Sequence, residues 1–151
     1  MLRSNPPPCS DPMANLTEKR SLTLAGARLI ADATVAEAVK HGWQVAVAIV
    51  DHAGCPLFAL RMEDSLIASW TGALNKATTA IQFGRPTSAL EEAVQRGKLH
   101  YFAFDNVLPV AGGLPIMIEG AMVGAIGVGG TPTGAEGARC AEIGIAALAK
   151  S

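Results

Sequence analysis

Val45-Ala46-Val47-Ala48-Ile49-Val50-Asp51-His52-Ala53-Gly54 opens with six aliphatic residues and ends in four residues typical of a turn. A short, uninterrupted aliphatic run predicts a strand that is covered on both faces. Residues 57–62 predict the returning strand, so the stretch 45–62 predicts a β-hairpin. A second hairpin is predicted where residues 114–118 and 121–128 flank the turn dipeptide Glu119-Gly120.

Apolar residues at steps of three and four predict helices on both sides of these hairpins. The two clearest stripes are Leu22, Ala25, Leu29, Ala33, Ala36 and Val39, and then Ile67, Trp70, Leu74, Ala77 and Ile81. Ser88 with Glu91 predicts a capping box for a third helix. Thr131-Pro132 predicts the start of a last helix, with Cys140 and Ile143 on its apolar stripe.

Hairpins dominate over βαβ crossovers in this order of elements. The fold class is therefore α+β, a mainly antiparallel sheet of about five strands with flanking helices. Residues 98–113 predict a long loop that contains a short strand, and long loops in compact domains are often functional. Residues 1–20, with Asn5-Pro6-Pro7-Pro8, predict a disordered N-terminal tail before a single domain over residues 21–151.

Composition limits the partners. The formal net charge of −1 gives no electrostatic reason to expect nucleic acid or an anionic membrane. No signal peptide or membrane span is visible, and the odd set of three cysteines is typical of reduced thiols, so we expect a cytoplasmic protein. The histidines are scattered, without metal-ligand spacing, so we expect no structural metal site.

The segment Gly112-Gly113-Leu114-Pro115 is the most informative candidate site. Two glycines permit close approach of the backbone to a ligand, with N–H groups free to donate, and Pro115 stiffens the exit. A bend at the entry of a strand is the structural alternative. The later run of Gly124, Gly127, Gly129 and Gly130 predicts close packing of a helix on a strand.

Polar residues elsewhere have both a structural and a functional interpretation. Asp51 and His52 are turn residues or polar groups at the rim of a pocket. Arg61 belongs to a solvated surface cluster or clamps a carboxylate or propionate. Lys76, with Thr79 nearby, extends its ammonium group to solvent or aims it at an anionic ligand. His52, His100, Met62 and Tyr101 are each chemically able to ligate haem iron, and spacing favours none of them.

Taken together, these blocks resemble a known family. They are Val47 to Gly54, Arg61 to Asp64, Ala73 to Ala80, Phe83 to Ser88, Gly112 to Ile116 and Gly124 to Pro132. From Leu22 to about Leu148 the chain resembles the GlcG/HbpS family, the haem-degrading domain also found at the C-terminus of PduO-type proteins. The resemblance implies a five-stranded antiparallel sheet, assembly into dimers or higher homo-oligomers, and binding of haem or another small ligand in some members. It implies no single reaction.

The first hypothesis is a small-ligand-binding protein of the GlcG/HbpS type. Haem is the best-guess ligand, with haem degradation as a further activity. Arg61 would act as the anion clamp, Gly112 and Gly113 as backbone donors, and Pro115 and Thr79 as further parts of the pocket.

The second hypothesis is an enzyme, such as a lyase, isomerase or hydrolase, that acts on a small organic acid or carbonyl compound in a catabolic pathway. Lys76 and Arg61 would hold the anion, and Asp51 or His52 would move a proton. The third hypothesis is an oligomeric structural or interaction module whose loops build a subunit interface.

Overall fold

The computed structural model describes residues 12–150. Their elements, in chain order, are α1 (Leu24–Lys40), β1 (Ala46–Asp51), β2 (Pro56–Arg61), α2 (Ile67–Phe83), α3 (Thr87–Gln95), β3 (Gly113–Ile118), β4 (Ala121–Gly129) and α4 (Gly134–Ala146). Short 3₁₀ turns cover Pro12–Asn15, Leu99–Ala103 and Ala147–Lys150. Most of the predicted tail, residues 1–11, lies outside the described residues, and residues 16–20 carry no regular secondary structure.

The strands form one antiparallel sheet in the order β2-β1-β4-β3. Both predicted hairpins are confirmed, and β1 joins them by pairing with β4, so that Ile49 lies opposite Ile126. The α+β class is confirmed. The described residues contain four strands, so the prediction of about five is wrong.

The missing strand was expected within residues 98–113. This segment instead makes the 3₁₀ turn Leu99–Ala103 and then runs irregularly to β3. Side chains take the hydrogen bonds that a neighbouring strand would take: the N–H groups of Leu108 and Ala111 donate to Thr79 and Glu91. The segment is therefore attached to α2 and α3 rather than to a sheet edge.

The two faces of the sheet carry side chains of different size. Toward α1 and α4 the strands present large aliphatic residues, including Val47, Ile49, Ile126 and Val128. Toward α2 they present mostly alanine and glycine, with Val50 as a larger residue. A Cβ atom on Gly127 would overlap the backbone oxygen of Ala73 in α2, which confirms the predicted close packing.

This asymmetry explains why the predicted helix stripes are partly wrong. Helix α1 turns its smaller side chains and Ile30 inward, leaving Leu29 and Val39 43% and 54% exposed. Helix α2 packs Ala73, Ala77 and Ala80 on the sheet, and Ile67 is 83% exposed. In α4, Cys140 is buried as predicted, whereas Ile143 is exposed. Where strands offer glycine, small helix residues make the closest contact.

Two predicted helix starts are wrong. Helix α3 begins at Thr87 with no side-chain cap, because Glu91 bonds to the loop before β3 instead of to its own helix. Helix α4 is capped by Thr133, whose capping box with Glu136 lies two residues beyond the predicted Thr131.

Candidate functional site

The glycine-rich segment enters β3 in contact with Lys76 of α2. Gly112 has a φ of +119°, and a Cβ atom there would lie 2.9 Å from the Lys76 Nζ. A Cβ atom on Gly113 would lie 2.5 Å from the backbone oxygen of Lys76. Neither position can carry a side chain without a shift of its surroundings. Glycine is therefore needed at these two positions because the backbone of this segment packs directly against α2.

Lys76 is buried beneath this segment and is only 8% exposed. Its Nζ donates a hydrogen bond to the carbonyl oxygen of Val128 at 3.1 Å. Burial lowers the pKa of Lys76, because removal from water disfavours the charged ammonium, and the negative charge of Glu91 opposes that shift. Within residues 12–150 no carboxylate lies at ion-pair distance from this ammonium group.

Three side chains hold the backbone that leads into β3. The Thr79 hydroxyl accepts from Leu108 N at 2.9 Å, and a Glu91 carboxylate oxygen accepts from Ala111 N at 3.3 Å. The Thr87 hydroxyl accepts from Gly113 N at 2.9 Å. The N–H group of Gly113, predicted as a donor to a ligand, is therefore bonded within the chain.

The structure thus brings together Lys76, Thr79, Gly112 and Gly113, four of the predicted site residues. The Lys76 ammonium, the Thr79 hydroxyl, the Gly112 carbonyl and the Gly113 N–H bond to the protein itself. The role of these residues toward a ligand stays a prediction. Pro115 lies further along β3, half-buried, opposite Ala125 of β4.

Arg61 lies at the end of β2, apart from this group. Its Nη1 donates to the carbonyl oxygens of Met62, Glu63 and Ser65 at 3.2, 3.1 and 2.7 Å. The guanidinium group therefore fastens the loop before α2, and its role as an anion clamp also stays a prediction.

Asp51 shapes the turn between β1 and β2. Its Oδ1 accepts hydrogen bonds from the N–H groups of Ala53 and Cys55, both at 2.9 Å. Gly54 completes the turn with a φ of +86°. His52 is exposed at the tip, and its ring has no hydrogen-bond partner within residues 12–150.

His52 lines a cavity of about 420 Å³. The pairing of β1 with β4 sets Asp51 opposite Gly124, so this turn lies beside the start of β4. The other lining residues are Glu18, Lys19, Arg20, Ala121 and Met122. The cavity combines an imidazole and a thioether with two cationic side chains. Arg20 also forms an ion pair with Glu119, at 2.7 Å.

Sequence reasoning missed most of this lining. Lys19 and Arg20 belong to the segment predicted as a tail, and Met122 lies inside a predicted strand. Their proximity to His52 depends on the β1–β4 pairing, which no local sequence pattern predicts.

Among residues 12–150, no three His, Cys, Asp or Glu side chains converge as a metal site. No helix in that range has the length and apolar character that crossing a bilayer requires.

Residues 22–146 match the family model described as haem degrading protein HbpS-like. The chain belongs to this HbpS-like family. A Citrobacter freundii protein, described as an uncharacterized 15.0 kDa protein in the dhaT-dhaS intergenic region, is 36% identical over 114 residues, which are 73% of this chain and 80% of that protein.

Two solved structures of HbpS-like proteins superpose closely. HbpS of Streptomyces reticuli, solved as a double mutant, has a TM-score of 0.84 and 34% identity, covering 96% of this chain and 99% of its own. The PduOC–haem complex has a TM-score of 0.77 and 28% identity, covering 84% of this chain and 94% of its own. The predicted family membership is confirmed.

Proposed function

We propose that this HbpS-like protein binds haem in the cavity beside His52. The observation that carries the proposal is that the imidazole has no hydrogen-bond partner in the described chain and lines a cavity with two cationic side chains. The haem complex of the similar PduOC supports haem as the ligand class.

The lining residues fit the chemical needs of haem. Imidazole nitrogen and thioether sulfur both bind haem iron in proteins, so His52 and Met122 are the lining residues that would hold it. Lys19 supplies positive charge for a propionate, whereas Arg20 is paired with Glu119 and would have to exchange that carboxylate for a propionate. Glu18 adds one negative charge to the lining, and Ala121 offers apolar contact. Bound haem would supply a redox-active iron at this position.

The glycine-rich segment does not fit haem. Gly112 and Gly113 are buried, and Gly113 packs directly on the backbone of α2, which argues against haem contact at these two residues. Gly112 and Gly113 are accordingly not part of the proposed site.

The chain's own residues have separate tasks in this proposal. Asp51 fixes the turn that presents the imidazole, through its bonds to Ala53 and Cys55. Lys19 would orient the ligand by one of its carboxylates, and Arg20 would do so once released from Glu119. The proposal concerns binding; degradation would appear as a loss of the haem absorption band once a reductant and oxygen are supplied.

Titration of the purified protein with hemin tests the proposal. We expect a saturable Soret shift at one haem per chain, and roughly tenfold or weaker binding in His52→Ala. His100→Ala is the matched control, because His100 is also exposed but its ring contacts Tyr101, with ring centres 4.3 Å apart. No stoichiometric shift in the wild type would overturn haem binding. Equal binding by wild type and His52→Ala would overturn the site.

The enzyme hypothesis has less support from the geometry. The carboxylate of Asp51 and the ammonium of Lys76 each bond to backbone groups of their own chain. A proton-transfer role for Asp51 would require these bonds to break.

A further inference from the structure

Helix α2 carries a row of uncharged polar side chains beside the face that packs on the sheet. The sheet face is formed by small residues, including Ala73 and Ala77. Asn75, Thr78 and Gln82 follow one another at steps of three and four residues, so they share one side of the helix. They span two helical turns, a length of about 10 Å. A ligand on this side would therefore meet neutral hydrogen-bonding groups along two turns of the helix.

This row lines a cavity of about 280 Å³. Two further walls come from other elements: Pro56 at the start of β2, and Asn106 in the segment before β3. None of the described residues that line the cavity is charged. A charged ligand would lose hydration there without gaining a counter-charge, so the cavity favours a neutral ligand. Its volume lies at the lower end of the range for ligand pockets and suits a small molecule.

The hydrogen-bonding groups of this cavity are largely unused. Within the part of the chain that the structure describes, the carboxamides of Asn75, Gln82 and Asn106 have no hydrogen-bond partner. The Thr78 hydroxyl donates its proton toward the carbonyl oxygens of Leu74 and Asn75, each 3.1 Å away, and its lone pairs remain free to accept. Each carboxamide offers an N–H donor and a carbonyl acceptor side by side. Donors and acceptors are therefore presented together, from the helix and from the loop.

We propose that this cavity binds a small neutral molecule with a cyclic amide or ureide edge, in which a ring N–H stands next to a ring carbonyl. A carboxamide pairs with such an edge through two parallel hydrogen bonds, one in each direction, as Asn and Gln do with nucleobases. Leu74 and Pro56 supply apolar contact for the face of the ring. A polyol lacks both the paired edge and the apolar face, and is the alternative that the experiment distinguishes. This inference does not rest on haem binding.

Titration of the isotope-labelled full-length protein with uracil, followed by nuclear magnetic resonance, tests the site. Uracil is neutral and carries the proposed edge. We expect saturable shifts of the side-chain amide signals of Asn75, Gln82 and Asn106, with a dissociation constant of about 1 mM or below. Uracil methylated on both ring nitrogens has lost its N–H donors and should bind about tenfold more weakly. The polyol myo-inositol should leave these three signals unshifted.

Two variants locate the binding. Gln82→Met keeps the side-chain length, and Asn106→Gly keeps the left-handed backbone of that residue, whose φ is +60°, so each removes mainly a carboxamide. Each should weaken uracil binding by about fivefold. Gln95→Met is the matched control, because Gln95 is exposed on α3 and does not line the cavity. Circular dichroism reports whether each variant is folded.

Four results would overturn the proposal. Uracil might as well be absent if it produces no saturable shift of the three amide signals up to about 10 mM, and the site is then refuted. Equal binding by folded Gln82→Met and Gln95→Met would refute the position of the site. Binding of the doubly methylated uracil as tight as that of uracil would refute the paired edge, and tighter binding of myo-inositol would refute the ligand class.

Discussion

The ammonium group of Lys76 donates a hydrogen bond to the carbonyl oxygen of Val128, 3.1 Å away. The N–H group of Val128 in turn donates to the carbonyl oxygen of Gly112 at 2.9 Å. One residue of β4 therefore connects helix α2 to the glycine-rich segment. A buried cation held by a single carbonyl costs desolvation free energy that one hydrogen bond offsets only in part.

Replacing Lys76 with methionine should remove part of the pH dependence of stability. Burial lowers the pKa of Lys76 in the folded protein, so the unfolded chain binds more protons at pH values between that lowered pKa and the ordinary value of about 10.4. The free energy of unfolding of the wild type should therefore rise with pH through this window, and Lys76→Met should lack that rise. Urea denaturation from about pH 7 to about pH 10.4 measures it.

The control for this experiment is Lys98→Met, because Lys98 is exposed and its replacement removes the same charge. The difference in unfolding free energy between wild type and Lys76→Met should shift in favour of the wild type as pH rises. A difference that stays constant with pH would contradict the prediction.

Gly113→Ala should destabilise the fold by about 2 kcal/mol or more, because the new Cβ atom would press on the backbone oxygen of Lys76 and on the Thr87 side chain. Gly72→Ala is the matched control: in the same helix as Lys76, its Cβ atom would meet nothing within 4 Å. There alanine should stabilise by up to about 1 kcal/mol through helix propensity. Chemical denaturation measures the change in unfolding free energy of each variant, which should fall in Gly113→Ala and rise in Gly72→Ala. Equal changes in the two variants would refute the close contact at Gly113.

Thr87→Val should cost about 1–3 kcal/mol, because it removes the hydroxyl that accepts from Gly113 N while keeping the side-chain shape. The buried N–H group is then left without its partner. Thr71→Val, at an exposed position of α2, controls for the change itself. Amide exchange at Gly113 should also quicken in Thr87→Val. Unchanged exchange there would show that this hydrogen bond does not hold the segment.

Local sequence patterns were sufficient to predict the strands and the turns between them. Residues 46–51 form a strand because β-branched side chains suit a covered sheet, and Glu119-Gly120 turns the chain between two apolar runs. The helix faces were not predictable in the same way. Which side of α2 is buried depends on Gly127 and Gly129 of a distant strand, since only glycine lets Ala73 come so close.

The candidate site likewise contains residues that local sequence patterns identify and residues that they do not. Asp51 and His52 were identified because they belong to the predicted turn at the tip of the first hairpin. Lys19, Arg20 and Met122 were missed, because their proximity to His52 comes from the β1–β4 pairing and from the path of the chain before α1. No periodicity within either segment encodes that proximity.

Asp51 should affect haem binding through the position of His52 rather than through its own charge. Asp51→Ala removes the acceptor for the N–H groups of Ala53 and Cys55, so the turn loosens and haem affinity should fall by roughly tenfold. Asp51→Asn keeps a side-chain oxygen that can accept both bonds, and should bind haem nearly as the wild type does. Hemin titration of the two variants measures the contrast. Equal losses would show that the carboxylate charge itself is needed, as in the proton-transfer hypothesis, and no loss in Asp51→Ala would show that the turn does not position the imidazole.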